Sequence, residues 1–203
     1  MNKNNNVYIL ANVINKIHFE FHKEYFSVYI KNNTDYDLIS LSKTYKTLLE
    51  NYNYLNEYIY LYRLMLHEAI NDYLIKYSDD LQNIKFFYRV KTKEAIVNKI
   101  NNYKNNIEQY PLNNWLNDIF GTRIILNSNE FENFRNNEVE SYKKALNLKN
   151  YYYRDKDGYK GLHLYFKNKD NKFFPWELQV WDKKDLDSNI LSHKKFKRSF
   201  INN

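Results

Sequence analysis

Apolar residues recur at three- and four-residue steps through residues 41–77. Leu55, Tyr58, Ile59, Tyr62, Leu66, Ile70 and Leu74 fall along one side of a cylinder, which predicts a long helix. Residues 7–31 mix Ile, Val, Phe and Tyr at similar spacing and predict further helix. Neither Gly nor Pro occurs in the first 110 residues, so nothing there interrupts a helix. The stretch 84–91, IKFFYRVK, is aromatic and β-branched and predicts a strand. Helical spacing returns over 92–107, with Ile96, Ile100, Tyr103 and Ile107 on one face and Thr92 as the N-cap.

After Pro111 the pattern shortens. DIFGTRIIL (118–126) predicts a strand and NEFENFRNNEVESYKKALNL (129–148) a helix. YKGLHLYF (159–166) and FFPWELQVW (173–181) predict two strands joined by a hairpin-like loop, KNKDNK, and residues 187–200 a closing helix. The expected fold is α+β: a mixed β-sheet of about four to five strands flanked by helices, preceded by an N-terminal helical region. No repeat and no Pro/Gly/Ser-rich linker divides the chain. It reads as one domain, 1–203, with a helical region over 1–83 and a core over 84–203.

Composition adds little to the fold but something to the chemistry. Tyr is abundant, 21 residues in 203, and such rings bury while keeping a polar tip. A net charge of +7 suits polyanionic partners, meaning nucleotides, RNA or an acidic protein; it equally suits a Lys-rich surface that keeps many tyrosines in solution. With no Cys there is neither a disulfide framework nor a thiolate metal site. The N-terminus makes a poor signal peptide and no run of apolar residues is long enough to span a bilayer, so a cytoplasmic protein is expected.

Strand parity selects the candidate chemistry. Leu162, Leu164 and Phe166 share one face, and His163 and Tyr165 the other. Leu178 and Val180 share one face, and Glu177, Gln179 and Trp181 the other. Paired strands would therefore gather His163, Glu177 and Gln179. Gly121 inside a strand suggests a bulge or the close approach of another group, beside Asp118 and Arg123; read alone, those two also describe a surface ion pair. Arg89, Lys91 and Lys99 lie at a strand–helix junction, as suits a polyphosphate, or form a solvated basic face. Asp118 and Glu177 are the pair fit to hold Mg²⁺, which takes few carboxylates plus substrate phosphates. There is no Walker loop and no dinucleotide fingerprint.

Taken in order, Arg89-x-Lys91, Lys99, Asp118-x-x-Gly121-x-Arg123, Gly158-Tyr159-x-x-x-His163, Glu177-x-Gln179 and His193-x-x-Phe196-Lys197 resemble the synthetase domain of the RelA/SpoT family, over roughly residues 85–198. The short chain is similar to the small alarmone synthetases. The resemblance implies a nucleotidyltransferase-like fold and transfer of the β,γ-pyrophosphate of ATP to a ribose 3′-hydroxyl with Mg²⁺. It implies that Arg89 and Arg123 hold the adenine, that Lys91 and Lys99 hold the phosphates, and that Asp118 binds Mg²⁺. Glu177 would help bind the metal or activate the hydroxyl. Tyr159, its ring projecting from the glycine-flanked turn, would stack on the acceptor base, with His163 and Gln179 lining the acceptor side.

The chain departs from the family pattern at Ala95, where Ser is usual, and at Trp181-Asp182, where Arg-Thr is usual. It also departs at Asp155, Asp157 and Gly161, where Lys, Asn and Ser are usual. The acidic pair would repel the diphosphate of GDP or GTP, a repulsion that Arg154 and Lys156 could offset by a one-residue shift. The expected acceptor is therefore the 3′ CCA end of tRNA, as in the family's toxic branch, with an antitoxin protein as partner. Basic surfaces for tRNA would be Lys3, Lys16 and Lys23, or Lys194, Lys195, Lys197 and Arg198. Synthesis of guanosine tetra- and pentaphosphate from GDP or GTP is the alternative, and a non-catalytic nucleotide- or RNA-binding relic the third reading.

Overall fold

The structure, a computed structural model, describes residues 5–26, 28, 39–103, 110–167 and 171–199. Of the residues singled out above, Lys3 and Ile107 lie outside it, as do the side chains of Lys195, Phe196, Lys197 and Arg198.

Helix α1 (Asn6–Glu20) starts where the Asn5 side chain accepts from the Val7 amide at 2.8 Å, and it buries Val7, Leu10, Ala11, Val13, Ile14 and Ile17. A π-helical turn, Phe21–Phe26, continues it. Helices α2 (Tyr45–Asn51) and α3 (Leu55–Lys76) follow, then the short α4 (Ser78–Leu81). The expected stripe on α3 is buried from Leu55 to Ile70, while Leu74 is only partly covered. Aromatic rings fill the junction with the rest of the chain: Phe21, Phe26, Tyr58 and Tyr62 meet Phe173 and Phe174. No helix among the described residues is long and apolar enough to cross a membrane.

Strand β1 (Phe86–Val90) leads into α5 (Lys93–Tyr103), and Thr92 caps that helix as expected, accepting from the Ala95 amide at 3.3 Å. After α6 (Leu112–Trp115) come β2 (Phe120–Leu126) and α7 (Ser128–Asn133). A π-helical segment and a 3₁₀ turn carry the chain on to α8 (Tyr142–Ala145), so the single helix expected over 129–148 is broken into short pieces. Then β3 (Leu148–Lys156), β4 (Tyr159–Phe166) and β5 (Trp176–Asp182) precede α9 (Leu186–Ser199).

The five strands form one mixed sheet in the order β1-β2-β5-β4-β3. Only β2 and β5 run parallel; the other neighbours are antiparallel. One sheet face carries Phe120, Ile124, Leu162, Leu164, Phe166, Leu178 and Val180 into the core shared with the N-terminal helices. Trp176 ties the two parts, its Nε1 donating to Asn15 Oδ1 of α1 at 2.9 Å.

Lys156 and Tyr159 pair across a two-residue loop in which Asp157 (φ 56°) and Gly158 (φ 76°) are both left-handed. That is the backbone of a type I′ hairpin turn, and Asp-Gly is among its preferred pairs. Gly158 thus serves the turn itself.

Candidate functional site

The opposite sheet face collects the singled-out residues. Register alone aligns them: Arg89 opposite Gly121, Gly121 opposite Glu177, Arg123 opposite Gln179, Gln179 opposite His163 and Tyr165 opposite Glu177. Arg89, His163, Tyr165, Glu177 and Gln179 floor a cleft of about 440 Å³, walled by α5, the α6–β2 segment and α9, while Gly121 and Arg123 line a smaller pocket that shares Arg89, Glu177 and Gln179 with it.

The ladder is regular at Gly121, so no bulge forms there. A Cβ at this position would lie 3.4 Å from Arg89 Nε and 3.7 Å from Glu177 Oε2. The glycine leaves room for Arg89 to lie across β2. One guanidinium nitrogen, Nη2, then sits 3.6 Å from Asp118 Oδ2 and 3.6 Å from Glu177 Oε2.

Asp118 lies two residues before β2 and is nearly closed off. Lys91 Nζ reaches its Oδ2 at 2.6 Å, and Lys99 Nζ its Oδ1 at 2.7 Å. Burial would raise its pKa, but Lys99, Lys91 and Arg89 outweigh burial and hold it far below the usual carboxylate range. Burial likewise pulls Lys91 down, against the pull of Asp118.

Glu177 is fully enclosed. Its Oε1 lies 2.8 Å from His163 Nδ1 and accepts from Tyr165 Oη at 2.9 Å; its Oε2 accepts from Gln179 Nε2 at 2.8 Å. Burial opposes ionisation here too, but the His163 hydrogen bond and Arg89 bring the carboxyl down to about 2. Gln179 in turn accepts from Arg123 Nη2 at 2.8 Å and Nε at 3.1 Å. Burial lowers Arg123 to about 10, which leaves it cationic at neutral pH.

Tyr159 does not project from its turn as expected. Its ring runs along β4 over Gly161, and only 5% of the residue is exposed. The hydroxyl lies 2.9 Å from His163 Nε2 and accepts from Trp181 Nε1 at 3.0 Å. The physical reason is Gly161: an added Cβ there would meet Tyr159 Oη at 2.8 Å, so the glycine opens the track in which the ring lies. Burial raises the phenol to about 12.

All nine singled-out residues belong to this face or its rim. The cleft also contains residues the sequence did not single out, among them Tyr152, stacked on His163 at 5.2 Å, and Trp115, stacked on Tyr103 at 5.2 Å. Arg154 lines it as well, its guanidinium 5.5 Å from the Tyr159 ring centre. In β3 the alternation was hidden, because NYYYRDK offers no apolar–polar contrast. Asp155 and Asp157 are not in the cleft. Asp155 is one residue out of phase with Arg154, on the other face, where its Oδ2 lies 3.6 Å from Lys160 Nζ; Asp157 sits in the turn.

Two carboxylates sharing one guanidinium nitrogen within 3.6 Å fit a Mg²⁺ ion that arrives with phosphates, because such an ion keeps few protein ligands. Among the described residues no cluster of three or more His, Asp or Glu forms a self-sufficient metal cage.

No protein-family model matches the chain, and no curated protein does. Among solved structures it is similar to small alarmone synthetase 1 from Bacillus subtilis bound to its product pppGpp, at 16% identity over 70% of this chain and 81% of that one, with a TM-score of 0.42. A second structure of that synthetase gives 19%, 73%, 81% and 0.41 respectively, and a third, bound to AMPCPP, gives 17%, 73%, 79% and 0.36.

Proposed function

We propose that the chain is an ATP-dependent pyrophosphokinase of the RelA/SpoT synthetase kind. The observation that carries this reading is the placement of four cations, Arg89, Lys91, Lys99 and Arg123, around two buried carboxylates on one sheet face. Pyrophosphoryl transfer needs positioned substrates and neutralised phosphate charge more than it needs a covalent intermediate, and this site supplies both.

On this reading Arg89 and Arg123 hold the adenine, and Lys91 and Lys99 turn from Asp118 to the phosphates. The acceptor's 3′ oxygen bonds to the β-phosphorus of ATP, the bond from that phosphorus to the α,β-bridging oxygen breaks, and AMP leaves with that oxygen. The hydroxyl proton passes to Glu177 or to water. With a carboxyl held near 2, Glu177 is a better hydrogen-bond acceptor that orients the hydroxyl than a strong base. Asp118 and Glu177 would hold Mg²⁺, which supplies charge neutralisation on the phosphates.

GDP or GTP is the acceptor we favour. Arg154 in the cleft offers the cation that a diphosphate needs, and the acidic residues that argued against a guanine nucleotide face elsewhere. Transfer to the 3′ CCA end of tRNA, with an antitoxin as partner, retains the exposed Lys16, Lys23 and Lys194 as basic surface.

Incubation with γ-labelled ATP and Mg²⁺, offered either GDP/GTP or deacylated tRNA, tests the proposal. Labelled guanosine tetra- or pentaphosphate is the expected product. Label on tRNA alone would replace the acceptor and restore the toxin reading. Transfer to neither would overturn the enzyme assignment in favour of a nucleotide-binding relic.

A further inference from the structure

The structure assigns to Trp181 a positioning role that nothing above gives it: one indole holds a donor-side and an acceptor-side residue in a fixed relation. The inference rests on the pyrophosphokinase reading and deepens it.

Trp181 stands on β5 two residues beyond Gln179, and only 1% of it is exposed. On one side the Arg123 guanidinium carbon lies 3.6 Å from the centre of its ring, close enough for a strong cation–π contact. On the other, its Nε1 donates to Tyr159 Oη at 3.0 Å. An indole N–H is a donor only, so Tyr159 Oη is the acceptor in this bond. The same Tyr159 Oη lies 2.9 Å from His163 Nε2, and His163 Nδ1 lies 2.8 Å from Glu177 Oε1, so the contacts run on from indole to carboxylate. The Arg123 fork closes the circuit through Gln179, which donates to Glu177 Oε2. Both arms from Trp181 end on the two oxygens of one carboxylate.

A second, independent observation supports the role. A Cβ at residue 161 would fall 3.0 Å from Trp181 Cδ1 and 3.1 Å from its Nε1, as well as 2.8 Å from Tyr159 Oη. Such contacts are too close for any side chain without displacement. Gly161 is therefore the gap through which indole and phenol meet. His193 of α9 completes the enclosure, stacked on Trp181 at 5.5 Å and edge-on to Tyr159 at 5.3 Å. Arg123 and Tyr159 lie on different strands, β2 and β4, on either side of β5. Trp181 links them directly and sets how far the adenine and acceptor positions stand apart.

Two substitutions separate the arms. Trp181→Phe keeps a ring face beneath Arg123 and removes the N–H; Trp181→Leu removes both. We measure calorimetric affinity for the α,β-methylene analogue of ATP, and steady-state KM for whichever acceptor the wild type uses, GDP or deacylated tRNA. Trp181→Phe should leave analogue affinity unchanged and raise acceptor KM about tenfold, the worth of one buried hydrogen bond. Trp181→Leu should weaken both about tenfold. Tyr159→Phe should raise acceptor KM at least as far as Trp181→Phe, since it also gives up the His163 contact, and the double variant should be no worse than Tyr159→Phe alone, because the Trp181 link is already broken there. A purely structural tryptophan would lower the melting temperature and the active fraction while leaving both constants at wild-type values, which overturns the inference. Equal loss of both constants in Trp181→Phe overturns it as well, since the arms would then not be separate. If the wild type transfers to neither acceptor, the enzyme reading fails and takes this inference with it; wild-type activity with unaffected variants removes only the role of Trp181.

Discussion

Glu177 Oε1 lies 2.8 Å from His163 Nδ1, and two further donors, from Tyr165 and Gln179, complete the hold on this buried carboxylate. A carboxyl brought down to about 2 in the folded chain contributes stability that is fully present above its unfolded value near 4.5 and is lost as pH falls toward 2. Denaturant titrations from pH 6 to pH 2 should show this loss in the wild type. Glu177→Gln should lose less stability across the same window and should show at least about a hundredfold lower transfer, in line with losing a group aimed at the reacting centre.

A second acid-sensitive point lies outside the cleft. His18 and His22 each place Nε2 3.1 Å from the single hydroxyl of Tyr62, and His22 stacks on Phe173 at 4.2 Å. Burial lowers His18 to about 3; burial, reinforced by the neighbouring His18, lowers His22 as well. In the unfolded chain both take up protons below about pH 6.5, and in the folded chain they resist. Stability therefore erodes as pH falls below about 6.5, by about 1.4 kcal/mol per pH unit for each histidine that stays neutral in the folded chain. His22→Phe should roughly halve that slope, read from denaturation midpoints at pH 7, 6 and 5.

Lys91→Met should weaken both the fold and nucleotide binding. The substitution leaves Asp118 with Lys99 as its one close lysine, and losing a hydrogen bond to a buried charge costs about 2 kcal/mol. Urea denaturation and calorimetry with the methylene ATP analogue give the two readings. Affinity should fall at least about tenfold.

Arg154 and Asp155 are neighbours in sequence and should behave oppositely. Arg154→Ala should raise acceptor KM about tenfold with ATP-analogue affinity intact, because its guanidinium lies in the cleft over Tyr159. Asp155→Asn should change neither, since its 3.6 Å contact with Lys160 is an exposed pair worth at most about 1 kcal/mol.

Gly158→Ala should destabilise the β3–β4 hairpin by about 1–2 kcal/mol, although an added Cβ would meet nothing within 4 Å. The penalty is conformational, from φ 76°, and a lowered melting midpoint with unchanged acceptor KM is the expected result.

Much of this was legible beforehand because the alternation in β4 and β5 is clean: Leu162/His163/Leu164 and Leu178/Gln179/Val180 show which parity is buried. The α3 stripe read correctly for the same reason. β3 was not legible as a strand, since three consecutive tyrosines suit either face, and so the phase that separates Arg154 from Asp155 could not be read. The helix expected over 129–148 met a run of Asn and Glu that did not sustain α-helical spacing. Tyr159 lies on the sheet face that carries His163 and Gln179, but its burial depends on the missing Cβ of Gly161 beside the Trp181 indole, and only the three-dimensional register brings these together.

Arg89 joins two carboxylates, and Lys91 and Lys99 already clasp one of them. On the proposed reading, the resting cleft thus works as an internal salt, with most of its charges spoken for. A nucleotide entering by itself would take the lysines and leave Asp118 only the longer 3.6 Å contact with Arg89, which Glu177 shares. One entering with its own divalent cation trades partners pairwise: phosphate to lysine, metal to aspartate. Recognition is then a metathesis rather than an addition, and it selects the metal–nucleotide complex over the free nucleotide before any chemistry begins.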